Sequence, residues 1–142
     1  MASQVTVFVE NKPGRLSRVT RALADNNINV RAITISDMGE YGLINIVAND
    51  PDRAEQVLRD EGLTVSRKYV IGVLMEDKPG ALAAIAEFLH NKEINVSNAY
   101  GFILKEGAKA VLILEVADFD RTEKVLRKGG FHTLTKEELE NL

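Results

Sequence analysis

The chain has 142 residues, 45% of them hydrophobic and 27% charged, with no cysteine and a net charge of −3. That is the balance of a soluble globular protein, and the lack of cysteine excludes a disulfide framework, a thiolate metal centre and a cysteine nucleophile. A pI near 5.5 disfavours a nucleic-acid or anionic-membrane surface, and no apolar run approaches the roughly 18 residues that span a bilayer.

Residues 4–10 (QVTVFVE) alternate, with Val5, Val7 and Val9 on one face, and predict a strand. The turn Asn11-Lys12-Pro13-Gly14 follows. It opens a helix whose apolar stripe is Leu16, Val19 and Leu23. Pro13 suits a first helical turn, where its missing N–H would have had no partner. Residues 29–38 and 41–49 predict a hairpin around Met38-Gly39-Glu40. A second helix carries Ala54, Val57 and Leu58, and a short strand is expected near 63–67.

The series then recurs. Residues 10–30 (ENKPGRLSRVTRALADNNINV) and 76–96 (EDKPGALAAIAEFLHNKEINV) are identical at nine of 21 positions at an offset of 66. DRAEQVLRDEG (52–62) matches DRTEKVLRKGG (120–130) at seven of 11 positions, now at an offset of 68, so one hairpin is expected to be longer in the second copy. The counterparts are a strand with Ile71, Val73 and Met75, a turn at Asp77–Gly80, and a helix with Leu82, Ile85 and Leu89. A hairpin of 95–105 and 109–116 around Glu106-Gly107-Ala108 follows, then a helix with Thr122, Val125 and Leu126 and a strand near 131–134. Thr135 and Glu138 stand at capping-box spacing and predict a short terminal helix.

Each copy therefore runs β-α-β-β-α-β, the split βαβ arrangement. The expected class is α+β: two ferredoxin-like βαββαβ units in tandem, residues 1–68 and 69–142, paired by a pseudo-two-fold axis. No Gly/Pro/Ser-rich linker separates them. Some strands are apolar on both faces: Phe8 and Leu74 lie opposite the valine faces, and Ala110–Leu114 (AVLIL) does not alternate. A sheet with helices on one face is usually polar on the other, so cover of the back face by a second copy, hence a homodimer, is expected.

The turns carry the chemistry. The first N–H groups of a helix lack intrahelical partners and sit at the positive end of its dipole, where a carboxylate can dock. Gly14 and Gly80 would let a ligand approach the backbone. Asn11 offers a donor and an acceptor, whereas Asp77 offers an acceptor with a negative charge suited to an ammonium group. Asn29 and Asn95 begin the next strand and are expected near the same end of the sheet. Asx-Lys-Pro-Gly is also simply a good turn, and both asparagines could serve only local backbone groups.

V-x-V-E-[ND]-K-P-G-x-L, a helix and then I-N-V, inside a βαββαβ unit of about 70 residues, resembles the ACT domain, twice over. The first copy, VENKPGRLSRVTRAL with NINV behind it, looks most like the regulatory subunit of acetolactate synthase, and phosphoglycerate dehydrogenase carries a similar turn. The resemblance implies a regulatory module that binds a free amino acid between paired units and modulates a partner metabolic enzyme. In ACT pairs the turn of one unit commonly faces the strand of the other. One site would then combine Asn11 and Gly14 with Asn95, and the other Asp77 and Gly80 with Asn29.

Other constellations point elsewhere or nowhere. His90 and His132 are the only histidines and lack partners at metal-ligand spacing, so neither a metal nor a cofactor is expected. No serine has a nucleophile-elbow context, and no catalytic residue is assigned. Glu10 and Glu76 are expected to be solvated charges, and Arg15, Arg18 and Arg21 a solvated helix face. No signal peptide opens the chain, in keeping with a cytoplasmic protein. An acylphosphatase-like enzyme is the competing class, since acylphosphatases use an arginine in the first β–α turn; here Lys12 and Arg15 stand there. A scaffolding dimer without ligand is another. RNA binding is disfavoured, because LINIV and AVLIL offer no aromatic platform for bases.

Overall fold

In the computed structural model, which describes residues 1–104 and 107–142, the chain divides into two compact units. One spans Ser3–Lys68 with Asn141; the other spans Tyr69–Glu140 with Met1–Ala2 and Leu142.

The first unit runs β1 (Ser3–Glu10), α1 (Arg15–Asp25), β2 (Val30–Asp37), β3 (Tyr41–Ala48), α2 (Pro51–Asp60) and β4 (Thr64–Tyr69). Its sheet has the order β2-β3-β1-β4, with β3 antiparallel to both β1 and β2. Alternation along β1 puts Val5, Val7 and Val9 on one face, where they form a core with Ile44 and Ile46 of β3. Val19 and Leu23 of α1 and Ala54, Val57 and Leu58 of α2 pack on the same face, as the helical spacing predicts. α2 begins sharply because the Asp50 carboxylate accepts from the Arg53 N–H at 3.1 Å and Pro51 occupies its first position.

On the other face of β1, Gln4 and Thr6 are polar and buried, whereas Phe8 is exposed. Gln4 Nε2 donates to Thr6 Oγ1 (3.1 Å) and Asn45 Oδ1 (3.2 Å), Thr6 Oγ1 donates to Asn45 Oδ1 (2.9 Å), and Asn45 Nδ2 donates to Thr34 Oγ1 (3.3 Å). Gln4, Thr6 and Asn45 are all buried, and the mutual bonds offset their desolvation.

The second unit runs β5 (Ile71–Glu76), α3 (Ala81–Asn91), β6 (Val96–Ile103), β7 (Lys109–Val116), α4 (Phe119–Lys128), β8 (His132–Thr133) and α5 (Lys136–Glu140). The sheet order is β6-β7-β5-β8, the same topology as in the first unit. Ile71, Val73, Leu112 and Leu114 build its core with Ile85, Leu89 and Leu126. The fold is thus βαββαβ twice. The β6–β7 connection is two residues longer than the β2–β3 one, which accounts for the change of offset. Of the expected hairpin tip, Lys105 and Glu106 lie outside the described residues.

Three expectations need correction. α1 and α3 open at Arg15 and Ala81, so Pro13 and Pro79 belong to the turns and not to the helices. Leu16 and Leu82 continue the apolar stripes in sequence, yet they are 43% and 54% exposed and stay outside the cores that Val19, Leu23, Ile85 and Leu89 join. On the back face of the second sheet, Val111 and Ile113 are fully buried in the single chain. There Leu134 and Leu139 approach Gly72. That face therefore needs no second copy to cover it. α5, held by the reciprocal Thr135–Glu138 capping box (3.0 and 3.1 Å), supplies Leu139.

Candidate functional site

The two β–α turns share one backbone. Gly14 has φ 89° and ψ −8°, Gly80 φ 92° and ψ −20°, and each is the N-cap of its helix with no side chain capping the helix end. A Cβ at either position would meet nothing within 4 Å. Glycine is there for the left-handed conformation, which costs other residues about 1–2 kcal/mol, and the space in front of the backbone is open. Lys12 N–H donates to Glu10 O (2.9 Å) and Arg18 N–H to Gly14 O (3.0 Å). Lys78 N–H to Glu76 O (3.0 Å) and Ala84 N–H to Gly80 O (2.9 Å) repeat the pattern. Duplication has preserved an uncapped helix N-terminus facing open space.

The flanking side chains differ. Asn11 Nδ2 donates to Asp37 Oδ1 (3.1 Å) and to Gly39 O (2.9 Å), and Asp37 Oδ1 also accepts from Gly39 N–H (2.8 Å). The Asn11 amide nitrogen is thus engaged with the β2–β3 hairpin. Asp77 is exposed; its backbone N–H donates to Ala108 O at 2.7 Å. Beside the second turn a cleft of about 310 Å³ is lined by Glu76, Lys78, Ala81, Lys109 and His132, among others.

The cations of the turns are paired. Glu10 lies 2.9 Å from Lys12 and 3.1 Å from Arg15, and its carboxyl is held below the ordinary range by the hydrogen bond from Lys12 first and Arg15 after it. Glu76 lies 2.7 Å from Lys78, which lowers the Glu76 carboxyl and raises the Lys78 ammonium. An acylphosphatase-like phosphate cradle would need Lys12 and Arg15 uncommitted, and both are turned to Glu10.

Asn29 and Asn95 do not lie at the turn end of their own sheets. Glu10 pairs with Tyr41, whereas Val30 pairs with Ala48, so the start of β2 is at the opposite end of the first sheet. The second sheet repeats this, with Glu76 opposite Lys109 and Val96 opposite Val116. The physical reason is that α1 and α3 carry the chain back across the sheet before the next strand begins. Asn29 N–H donates to Asn49 Oδ1 at 3.0 Å and Asn29 O accepts from Asn49 N–H at 3.0 Å. Asn95 instead lines a cavity of about 390 Å³.

One feature went unread in the sequence, whereas Tyr100, which follows the Asn95 strand start closely enough to line a pocket, does line one. Ala99 and Gly101 of β6 stand where β2 has Ile33 and Ile35, and there an apolar groove of about 470 Å³ opens along α3, lined also by Leu82, Leu89 and Tyr100. The Tyr100 phenol is pushed above its ordinary range by burial and then by the Glu115 charge. The 66-residue offset would have shown the small residues. Among the described residues no group of three His, Asp or Glu side chains is placed to hold a metal ion, and no helix is long and apolar enough to cross a membrane.

The family described as the ACT domain pair matches residues 1–142. The crystal structure of protein BT0572 from Bacteroides thetaiotaomicron is 31% identical and covers 99% of this chain and 96% of its own, with a TM-score of 0.92. The regulatory subunit of aspartate kinase from Thermus thermophilus, in its ligand-free form, is similar in fold at 15% identity. Its TM-score is 0.66, with coverage of 88% and 87%. The corresponding subunit from Thermus flavus gives 17% identity, a TM-score of 0.62 and 88% of each chain. No curated protein matches the sequence. These similarities give no support to the acetolactate synthase likeness of the first copy. With the duplicated βαββαβ unit and its paired Pro-Gly turns, they establish that the chain belongs to the ACT family as an ACT domain pair.

Proposed function

We propose that the protein is a regulatory module that binds a free amino acid and passes its occupancy to a partner enzyme of amino-acid metabolism. One observation carries this: both copies keep a left-handed glycine at an uncapped helix N-terminus facing open space, in a chain that belongs to the ACT domain pair family. The fold shared with aspartate kinase regulatory subunits favours a regulatory over a catalytic role. A cytoplasmic location suits that role.

Within a unit the turn and the strand-start asparagine lie at opposite ends of the sheet. A site using both draws them from two paired units, as the ACT resemblance implies: Asn11 and Gly14 with Asn95, and Asp77 and Gly80 with Asn29. Pairing of two chains into a homodimer would suit the exposed apolar edge strand of the first sheet at Ile33 and Ile35. Occupancy can change a partner's activity only if the ligand binds two states of the assembly with different affinity.

The Asp77 turn is proposed as the tighter site, because a carboxylate facing the ligand ammonium makes a charge-assisted bond worth about 1 kcal/mol or more. Titration calorimetry with a stabilising amino acid tests this. Two unequal sites are expected, with the tighter lost in Gly80→Val that is folded by circular dichroism. Two identical sites, or folded Gly80→Val binding normally, would defeat the assignment.

A further inference from the structure

We infer that the cavity beside Asn95 in the second unit is a site for a free carboxamide amino acid, glutamine or asparagine. The two copies show why. In the first unit the Asn49 side chain accepts from the Asn29 N–H at 3.0 Å. The offset of 68 places Ala117 at that position. The alignment is secure, because Asp50 and Asp118 accept from Arg53 and Arg121 N–H at the same 3.1 Å. A methyl group cannot accept a hydrogen bond. Among the described residues, no side chain in the second unit accepts from the Asn95 N–H as Asn49 Oδ1 does from the Asn29 N–H.

A second amide is missing nearby. Arg53 Nη2 donates to Asn26 Oδ1 at 3.4 Å and its Nε to Asn26 O at 3.5 Å. In the second copy Lys92 replaces Asn26, and Arg121 Nη2 donates to the Lys92 carbonyl at 3.0 Å. The first unit thus fills this place with two carboxamides of its own, and the second has lost both. What opens is a cavity of about 390 Å³, lined by Asn95, Ser97, Glu115, Ala117, Asp118 and Arg121 among others. At about 30 Å³ per water it has room for a small amino acid.

The lining selects the ligand. The cavity lining carries three acidic residues, Glu93, Glu115 and Asp118, and one cationic residue, Arg121, so a ligand with two carboxylates would be repelled. A carboxamide is neutral: its oxygen can accept from the Asn95 N–H as Asn49 Oδ1 does from Asn29, and its NH₂ can donate to an acidic oxygen. Arg121 suits the α-carboxylate and the acidic side chains suit the ammonium. The α-helix N-terminus here is already capped by Asp118 and plays no part.

The inference rests on amino-acid sensing for the ligand's α-groups, but its pocket lies within one unit and at the end of the sheet away from the turn. The test is an amide ¹H–¹⁵N titration of the full chain with L-glutamine, L-asparagine, L-glutamate, L-aspartate and propionamide. Glutamine or asparagine should move Asn95, Ala117 and Arg121, and the acids should bind at least tenfold more weakly. Ala117→Asn restores the first unit's own plug and should remove the response at least tenfold. Arg121→Met should weaken the amino acids while sparing propionamide. No response to either amide amino acid, an equal response to glutamate, or a response that survives Ala117→Asn would overturn the site. Shifts confined to the Pro-Gly turns would sink this inference and leave amino-acid sensing standing; shifts confined to the cavity would support it and remove the turns from the site.

Discussion

The Asn11 amide donates to the Asp37 carboxylate at 3.1 Å, fastening the β–α turn of the first unit to the tip of that unit's own hairpin. A residue that reads as a ligand contact is therefore also a structural one. The Asp77 side chain in the second copy has no N–H and cannot donate such a bond.

Asn11→Ala removes the bonds to Asp37 and Gly39. Both are exposed, so the expected loss is about 0.5–1.5 kcal/mol. Urea unfolding checks it; unchanged stability would mean that the turn does not depend on the brace.

Gly80→Ala should cost about 1–2 kcal/mol, because φ is 92° and a Cβ is disfavoured in that region. Since nothing lies within 4 Å of the new Cβ, the cost is conformational, and Gly80→Asn should recover much of it. Equal destabilisation by both substitutions would point to crowding instead.

Gly129→Ala has a different cause. Its Cβ would come within 2.4 Å of the Phe88 ring, which itself packs on Phe131 at 4.9 Å. Displacing the ring should cost about 1–3 kcal/mol, and Phe88→Leu in the same chain should relieve part of it. Thermal unfolding of the two single variants and the double variant measures the coupling; strict additivity would rule out the clash.

The terminal helix should be acid-sensitive. The Glu138 carboxyl is lowered chiefly by the Thr135 N–H, with His132 adding to it. A depressed carboxylate gives stability that is present above its ordinary value of 4.5 and is lost as pH falls below it. Amide exchange at Leu139, which is buried, should quicken on acidification relative to the β7 core. Glu138→Gln should flatten much of that dependence, and a dependence that survives it would assign the effect to another group.

Much of the fold was legible because duplication printed each signal twice: alternation in Val5, Val7 and Val9, helical stripes ending in Leu23 and Leu89, and the Thr135–Glu138 box. The failures share a cause, which is that a pattern gives a face and not an extent. Leu16 and Leu82 keep the spacing but lie exposed, outside the cores. The back face at Val111 and Ile113 looked as though it needed a partner, whereas both are fully buried in the single chain. The asparagines went astray at another level: nearness along the chain suggested that Asn29 lies beside its turn, whereas an intervening helix reverses the direction. The cavity at Asn95 depends on the absence of a carboxamide at Ala117, and only the comparison between copies reveals an absence.

The most direct test of the central claim is a thermal-shift screen of the twenty amino acids. At 100 times Kd a ligand should contribute about 2.7 kcal/mol, raising Tm by roughly 5–10 °C for a chain of this size. At least one amino acid should stabilise the protein to that degree. A flat response to all twenty at millimolar concentration would contradict amino-acid sensing and leave a scaffold without a ligand.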